Sequence, residues 1–183
     1  MIPLASPTLF LYGPPATGKS TCARNLAVAL GKTAIDLDTL VEQRVGMTIP
    51  EYVAKAGGEA FRDAETETLR ALCDERPDAV VALGGGTLLR PQNRAMAEAC
   101  GPIVCIVTPP EVLAKRVERK AGSRPFSKDA AALRKTLEER REHYASFPLR
   151  VELTGDPSPQ EVWPRVLMAF GRYRVAGMAA PYT

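Results

Sequence analysis

The sequence of 183 residues has little of what marks a metal-binding, membrane or secreted protein. It has one histidine and four cysteines, and the cysteines show no spacing typical of a metal site. No apolar run approaches the roughly 18 residues that span a bilayer. The first residues, MIPLASPTLF, lack the basic start and the long apolar stretch of a signal peptide. We therefore expect reduced thiols, no membrane association and a cytoplasmic location.

The chain also lacks a strong charge of either sign. Its 24 basic and 21 acidic residues give a net charge of +3, and the basic residues are scattered rather than clustered. Nucleic-acid-binding domains usually concentrate positive charge on one face, so we expect a small anionic ligand and no nucleic acid. The length and the 45% hydrophobic content are typical of one soluble domain. We place this domain at residues 1–173, followed by a flexible tail over 174–183.

Short apolar stretches alternate with helical patterns along the whole chain. The stretches TLFLYG, TAIDLD, DAVVALGGG, PIVCIVTP and LRVELTG are typical of strands, and the segments between them have apolar residues at helical spacing. One helical segment is broken at Gly57–Gly58, whereas AALRKTLEERREHYASF predicts a single helix. The alternation predicts an α/β fold, a three-layer αβα sandwich with a central five-stranded parallel sheet.

The stretch GPPATGKS, from Gly13 to Ser20, matches G-x-x-x-x-G-K-[ST] at every fixed position, with a strand before it and a helix after it. Backbone amides of such a loop, and the positive end of the following helix, bind phosphate groups. Lys19 can reach the β- and γ-phosphates of a nucleoside triphosphate, and the hydroxyl of Ser20 can bind Mg²⁺. The predicted nucleotide-binding residues are Gly13, Pro15, Ala16, Thr17, Gly18, Lys19, Ser20 and Thr21.

This motif alone fits kinases, GTPases, ATPases and motors. The chain has no guanine-reading N/T-K-x-D motif and is short for a motor, which leaves a small phosphotransferase. In AIDLD, Asp36 and Asp38 are two residues apart at the end of a predicted strand, so both carboxylates are expected on one face, in the crevice where such sheets bind ligands. One could bind Mg²⁺ through water and the other an acceptor hydroxyl. A solvated pair of loop carboxylates is the alternative.

Two further segments point to the acceptor. Arg62 in FRDAE lies on a predicted helix, and Gly84, Gly85 and Gly86 follow an apolar strand. Three successive glycines remove side chains where a ligand must approach backbone amides. Each segment has a simpler interpretation, a surface arginine and a flexible loop, and only their occurrence together with the phosphate loop and the acidic pair is informative.

These segments together resemble the shikimate kinase family, in the nucleoside-monophosphate-kinase-like P-loop group. The resemblance runs from about Leu9 to Leu167 and rests on GPPATGKST, IDLDTLVEQRVGMTI, FRDAE, ALGGGTLLRP, the RP of GSRPFS and the Arg-to-Tyr spacing of RREHY. It implies ATP-dependent phosphorylation of the 3-hydroxyl of shikimate. We expect the chain to be a monomer.

The resemblance also implies a role for each matching residue. Lys19 would hold the ATP phosphates, Ser20 would bind Mg²⁺ with Asp36 near its water shell, and Asp38 would bind and orient, or deprotonate, the attacked hydroxyl. Arg62 and Arg140 would hold the shikimate carboxylate between two charge-assisted bonds. Gly84, Gly85 and Gly86 would present backbone amides to the ring. Arg124, in a small lid over about 119–130, would place positive charge on the transferred phosphoryl group.

The sequence departs from the family pattern at a few positions. Ala16 replaces the usual middle glycine of the phosphate loop, and its methyl group requires that φ be negative there. Gly58, Val53 and Glu142 replace an acidic residue, an aromatic residue and a proline around the acceptor. Two alternatives therefore stay open: a kinase for another small hydroxylated acceptor, and a non-catalytic module that senses a nucleotide or an acid.

Three other residues have more than one interpretation. Glu65, three residues after Arg62, either holds Arg62 or Arg140 in place or forms a surface ion pair. Cys22, at the start of a helix, is expected to pack inward and to be unreactive. His143 is expected to have a packing or surface role rather than that of a general base.

Overall fold

The computed structural model describes residues 8–119 and 130–175. Five strands form one parallel sheet in the order β2-β3-β1-β4-β5. The strands are β1 (Leu9–Tyr12), β2 (Thr33–Asp36), β3 (Ala79–Ala82), β4 (Ile103–Val107) and β5 (Arg150–Glu152). The predicted α/β class and the five-stranded parallel sheet are confirmed.

Helices connect the strands and cover both faces of the sheet. They are α1 (Lys19–Leu30), α2 (Leu37–Val45), α3 (Ile49–Ala56), α4 (Gly58–Glu75), α5 (Pro91–Cys100), α6 (Pro110–Arg119), α7 (Ala130–Glu139), α8 (Arg141–Ala145) and α9 (Pro159–Val175), with a short 3₁₀ helix at Thr87–Leu89. Within the described ranges, no helix is long and apolar enough to cross a membrane. Arg124 and almost all of the predicted lid lie outside the described residues, as does the chain beyond residue 175.

The two faces of the sheet are covered separately because side chains alternate along each strand. Leu9 and Leu11 pack with residues of α1 and α9, such as Leu26 and Phe170. Phe10 and Tyr12 point to the opposite face and pack with residues of α4, α5 and α8. This arrangement gives the predicted three layers. Since β1 is the middle strand, pairing with β3 on one side and β4 on the other, the loop that follows it lies at the centre of one sheet edge.

A third apolar cluster lies between α6 and α7. Leu113 and Val117 of α6 pack against Leu133 and Leu137 of α7, and Ala16 of the phosphate loop contacts this cluster. The helices on either side of residues 120–129 are therefore attached to the phosphate loop by apolar contacts.

Three boundaries differ from the sequence-based prediction. Asp38 does not lie on a strand but in the first turn of α2, because Asp36 caps that helix and its carboxylate accepts a hydrogen bond from the Asp38 amide. The helix predicted over AALRKTLEERREHYASF is interrupted at Arg140, which has φ −101° and ψ 3°. Helix α9 continues to Val175, so the predicted tail does not begin at residue 174.

Candidate active site

The phosphate loop connects β1 to α1 and is shaped by two glycines with positive φ. Gly13 has φ +132°, and a Cβ there would lie 2.2 Å from the carbonyl oxygen of Ile106, so no larger residue fits. Gly18 has φ +96° and is the N-cap of α1. The amides of the first turn of α1 thus follow directly on the loop, which is the arrangement that binds anions at a helix N-terminus.

Lys19, the first residue of α1, is buried. Its ammonium group donates to the carbonyl oxygens of Gly13, at 2.9 Å, and of Pro14, at 2.8 Å. These bonds keep the cation inside the loop rather than in solvent. Ser20 and Thr21, the next residues of the helix, are half-buried, and Thr21 accepts a hydrogen bond from Arg24.

Ala16 does not have the negative φ that its methyl group led us to expect. Its φ is +63°, in the left-handed region where a Cβ costs roughly 1–2 kcal/mol. Its methyl group packs against the apolar cluster of α6 and α7, and a glycine would lose that contact. The loop therefore has the backbone shape that glycine would give, with an apolar contact that offsets part of the strain.

Arg116 of α6 was not identified from the sequence as a site residue. Its guanidinium donates to the carbonyl oxygens of Ala16, at 3.2 Å, and Thr17, at 3.1 Å, and also to Asp156 and the carbonyl of Pro157. Arg116 thus fixes the direction of two carbonyl groups of the phosphate loop. Arg116 lies 100 residues from the loop along the chain, and no local pattern in the sequence marks it.

The three glycines after β3 lie where the phosphate loop meets the predicted acceptor residues. A Cβ on Gly84 would lie 2.9 Å from Oε1 of Glu65 and 3.0 Å from Oδ1 of Asp38. A Cβ on Gly85 would lie 3.0 Å from Pro15, and one on Gly86 would lie 2.9 Å from the guanidinium of Arg62. A side chain anywhere in the segment 84–86, which we call the glycine loop, would therefore press on the phosphate loop or on a predicted acceptor residue.

Arg62 is held by Glu65. The two side chains form an ion pair at 2.6 Å, in which Arg62 is 30% exposed and Glu65 only 1% exposed. The other carboxylate oxygen of Glu65 accepts a hydrogen bond from the hydroxyl of Thr87, just after the glycine loop. The surface ion pair considered for Glu65 is therefore wrong, and its role of holding Arg62 is confirmed.

Arg140 reaches the glycine loop from the other side, at the junction of α7 and α8. Its guanidinium lies 3.4 Å from the carbonyl oxygen of Gly85, which also accepts a hydrogen bond from the hydroxyl of Tyr144 at 2.8 Å. Burial raises the pKa of Tyr144, so the hydroxyl stays protonated and able to donate near neutral pH. The structure thus brings Asp38, Arg62 and Arg140 together around one short loop.

Burial also keeps the thiols of two cysteines near the phosphate loop protonated and therefore unreactive. Cys22 is 1% exposed, and burial raises the pKa of its thiol to about 12, which confirms that it packs inward. Burial also raises the pKa of Cys105 to about 12. Within the described ranges, no group of three or more His, Cys, Asp or Glu side chains could hold a metal ion by itself.

A phosphate loop at the end of a central parallel strand, beside two arginines and a carboxylate, defines a P-loop phosphotransferase. The family model for shikimate kinase matches residues 15–170. The chain is 36% identical over 165 residues to a shikimate kinase of Synechococcus sp. (strain JA-3-3Ab), covering 88% of this chain and 86% of the relative. The chain belongs to the shikimate kinase family and is a small-molecule kinase.

Solved structures agree with this assignment. A shikimate kinase from Acinetobacter baumannii in complex with shikimate superposes with a TM-score of 0.82 at 29% identity, covering 94% of this chain and 95% of the other. The shikimate kinase of Aquifex aeolicus gives a TM-score of 0.79 at 26% identity, covering 93% and 99%. The P-loop fold expected from the sequence is therefore confirmed.

Proposed function

We propose that the chain transfers the γ-phosphoryl group of ATP to the 3-hydroxyl of shikimate, and that the glycine loop organises the acceptor for this step. The observation that carries the proposal is the position of the glycine loop. Gly85 lies against Pro15 of the phosphate loop, while Gly84 and Gly86 lie against Asp38 and Arg62. A donor phosphate and an acceptor would meet at this loop.

The donor side follows from the phosphate loop. Lys19 would supply positive charge close to the terminal phosphates, and the backbone N–H groups of the loop, which Pro14 and Pro15 lack, would line the anion site. A bound Mg²⁺ would neutralise charge on the phosphates, and Ser20 and Asp36 are the residues that would hold it. This donor set fits the ion, because Mg²⁺ is usually held by one or two protein groups, phosphates and water rather than by a protein cage.

The acceptor side is suited to a hydroxylated carboxylic acid. Arg62 and Arg140 approach the glycine loop from α4 and from the α7–α8 junction, and two guanidinium groups can fix both the position and the orientation of one carboxylate. Asp38 lies beside Gly84, and its carboxylate can accept a proton or a hydrogen bond from a hydroxyl group. A polyol without a carboxylate would offer Arg140 no anionic group, and would leave Arg62 with only the Glu65 carboxylate that it already binds.

Release of ADP with a panel of acceptors tests this function. Shikimate, quinate, gluconate and homoserine would be compared at equal concentrations with ATP and Mg²⁺. We expect shikimate to give the highest kcat/KM, and Arg62→Ala and Arg140→Ala to raise its KM much more than the KM for ATP. Faster turnover of gluconate would favour the other-acceptor alternative, and no ADP release with any acceptor would favour the non-catalytic one.

Some expectations stay predictions. They are the roles of Arg124 and of a lid over about 119–130, the single domain at 1–173, the monomeric state, the cytoplasmic location and the absence of nucleic-acid or membrane partners.

A further inference from the structure

We propose that Tyr12 and His143 are positioning residues that hold the Gly85 carbonyl through a chain of two hydrogen bonds, and so keep the glycine loop aligned with the phosphate loop. The proposal rests on the proposed function, since it deepens the account of the acceptor site. Neither residue was assigned a role in the reaction from the sequence. They lie 131 residues apart along the chain.

The carbonyl oxygen of Gly85 is the point at which several donors meet. The hydroxyl of Tyr144 lies 2.8 Å from it, the hydroxyl of Tyr12 3.3 Å and the guanidinium of Arg140 3.4 Å. Behind Tyr12, its hydroxyl oxygen lies 3.0 Å from Nε2 of His143. The contacts therefore run from His143 through Tyr12 to Gly85.

The protons can be placed along this chain. Burial strongly raises the pKa of Tyr12, so its hydroxyl keeps its single proton. Burial, together with the positive charges of Arg94 and Arg140, lowers the pKa of His143, so the imidazole is neutral near pH 7 and carries one N–H. If that proton were on Nδ1, Tyr12 would donate to His143, and oxygen lone pairs would face each other 3.3 Å apart at Gly85. With the proton on Nε2, His143 donates to Tyr12 and the Tyr12 hydroxyl donates to Gly85, and this is the tautomer that we infer.

Aromatic packing makes these groups a single unit. The ring of Tyr12 lies with its centroid 5.7 Å from His143, 5.6 Å from Tyr144 and 5.1 Å from Phe147. His143 in turn lies 5.3 Å from Phe147 in an edge-on arrangement. Since Tyr12 directly precedes Gly13, helix α8 is tied to the strand that carries the phosphate loop.

Fixing the Gly85 carbonyl has consequences on both sides of the site. The peptide between Gly85 and Gly86 is trans and planar, so holding the carbonyl also fixes the direction of the Gly86 amide next to Arg62. On the other side, a Cβ on Gly85 would lie 3.0 Å from Pro15 and 3.3 Å from the Gly13 carbonyl oxygen, so Gly85 lies beside the phosphate loop. Arg140 donates to the same oxygen, so its guanidinium is positioned by the same contact.

Kinetics of conservative variants test the proposal. Tyr12→Phe removes one hydroxyl, His143→Leu removes the ring nitrogens, and His143→Gln restores an N–H donor near the position of Nε2. We expect Tyr12→Phe and His143→Leu each to raise the KM for shikimate about 3- to 10-fold, the effect of one hydrogen bond, with the KM for ATP changed less than about twofold. His143→Gln should remain within about twofold of the wild type. Tyr173→Phe, on α9, is the matched control.

Because the two residues act through one chain of bonds, the double variant Tyr12→Phe/His143→Leu should be no worse than the worse single variant. Additive losses would overturn the proposal. So would equal losses for His143→Leu and His143→Gln, equal changes in the KM values of both substrates, or a Tyr12→Phe variant that behaves like Tyr173→Phe.

A second measurement needs no turnover and separates this proposal from the proposed function. His143 is the only histidine, so in untagged protein a long-range ¹H–¹⁵N NMR spectrum reports its tautomer without ambiguity. The Nε2–H tautomer in the wild type, with a shift of the Nε2 signal in Tyr12→Phe but not in Tyr173→Phe, supports the hydrogen-bond chain even if shikimate proves not to be the acceptor. The Nδ1–H tautomer refutes it, whatever the substrate.

Discussion

Replacing Glu65 with glutamine should weaken both the fold and the binding of the acceptor. The substitution keeps the shape of the side chain but removes the charge that pairs with Arg62 at 2.6 Å. The new amide group can present an oxygen to Arg62 or to Thr87, but it cannot accept from both as the carboxylate does. Arg62 should therefore lose its fixed orientation beside Gly86.

The size of the effect follows from burial. A hydrogen bond to a charged group contributes about 1.5–3 kcal/mol to stability. We take the lower part of this range, about 1.5–2 kcal/mol, because Arg62 is 30% exposed and water can hydrate it when its partner is lost. For a chain of this length such a loss lowers Tm by about 3–8 °C. The KM for shikimate should rise about fivefold or more, which corresponds to about 1 kcal/mol of lost carboxylate binding.

Glu67 provides a matched control on the same helix. It pairs with Arg70 at 2.7 Å, almost the distance of the Arg62–Glu65 pair, but it is 53% exposed. Glu67→Gln should change stability by less than about 0.5 kcal/mol. Thermal unfolding without ligands and ADP release with varied shikimate measure the two effects. If Glu65→Gln had the same Tm and the same KM for shikimate as Glu67→Gln, the buried carboxylate would not be positioning Arg62.

Three other substitutions test separate parts of the structure. Lys19→Ala should leave the fold intact but lower kcat about a hundredfold or more. Near-normal turnover by the folded variant would reject the role of Lys19 at the transferred phosphoryl group. The pKa of His143 is lowered in the folded state, so the unfolded chain takes up that proton first as the pH falls below about 6.5. Protonation of His143 therefore favours unfolding. Between about pH 7.5 and about pH 5.5, the Tm of the wild type should fall further than the Tm of His143→Leu. An equal loss in both would exclude His143 as the group responsible. Ala16→Gly should change the free energy of unfolding by less than about 1 kcal/mol. Glycine relieves the strain of the positive φ, but it loses the methyl contact and makes the unfolded chain more flexible. A larger change in the free energy of unfolding, measured in urea, would contradict this balance.

The features that the sequence predicted well depend on local patterns. The spacing from Gly13 to Ser20 specifies a loop between a strand and a helix, because the glycines, the lysine and the hydroxyl all act within eight residues. The alternation of apolar and helical segments likewise predicted the parallel sheet. The burial of Glu65 could have been inferred, since Phe61, Leu69 and Leu72 mark the inward side of the same helix.

The features that were missed depend on contacts between distant segments. Ala16 tolerates a positive φ next to α6 and α7, which the loop sequence does not show. Asp38 lies in a helix and not on the predicted strand, because Asp36 caps that helix. The sequence pattern does not define the end of a strand or helix to within one residue. The Tyr12–His143 contact joins two residues that are 131 positions apart in the sequence, and no periodicity in either segment indicates it.

The hydrogen bonds of Lys19 have a consequence for discrimination among anions. A phosphate that displaces either the Gly13 or the Pro14 carbonyl from the ammonium group gains only the difference between the bond it forms and the bond it breaks. A singly charged ion that touches only the loop amides leaves those carbonyl bonds intact and makes no direct hydrogen bond to the lysine. A polyphosphate is long and charged enough to engage amides and ammonium at once. We therefore expect a polyphosphate to bind this loop in preference to chloride and other simple anions.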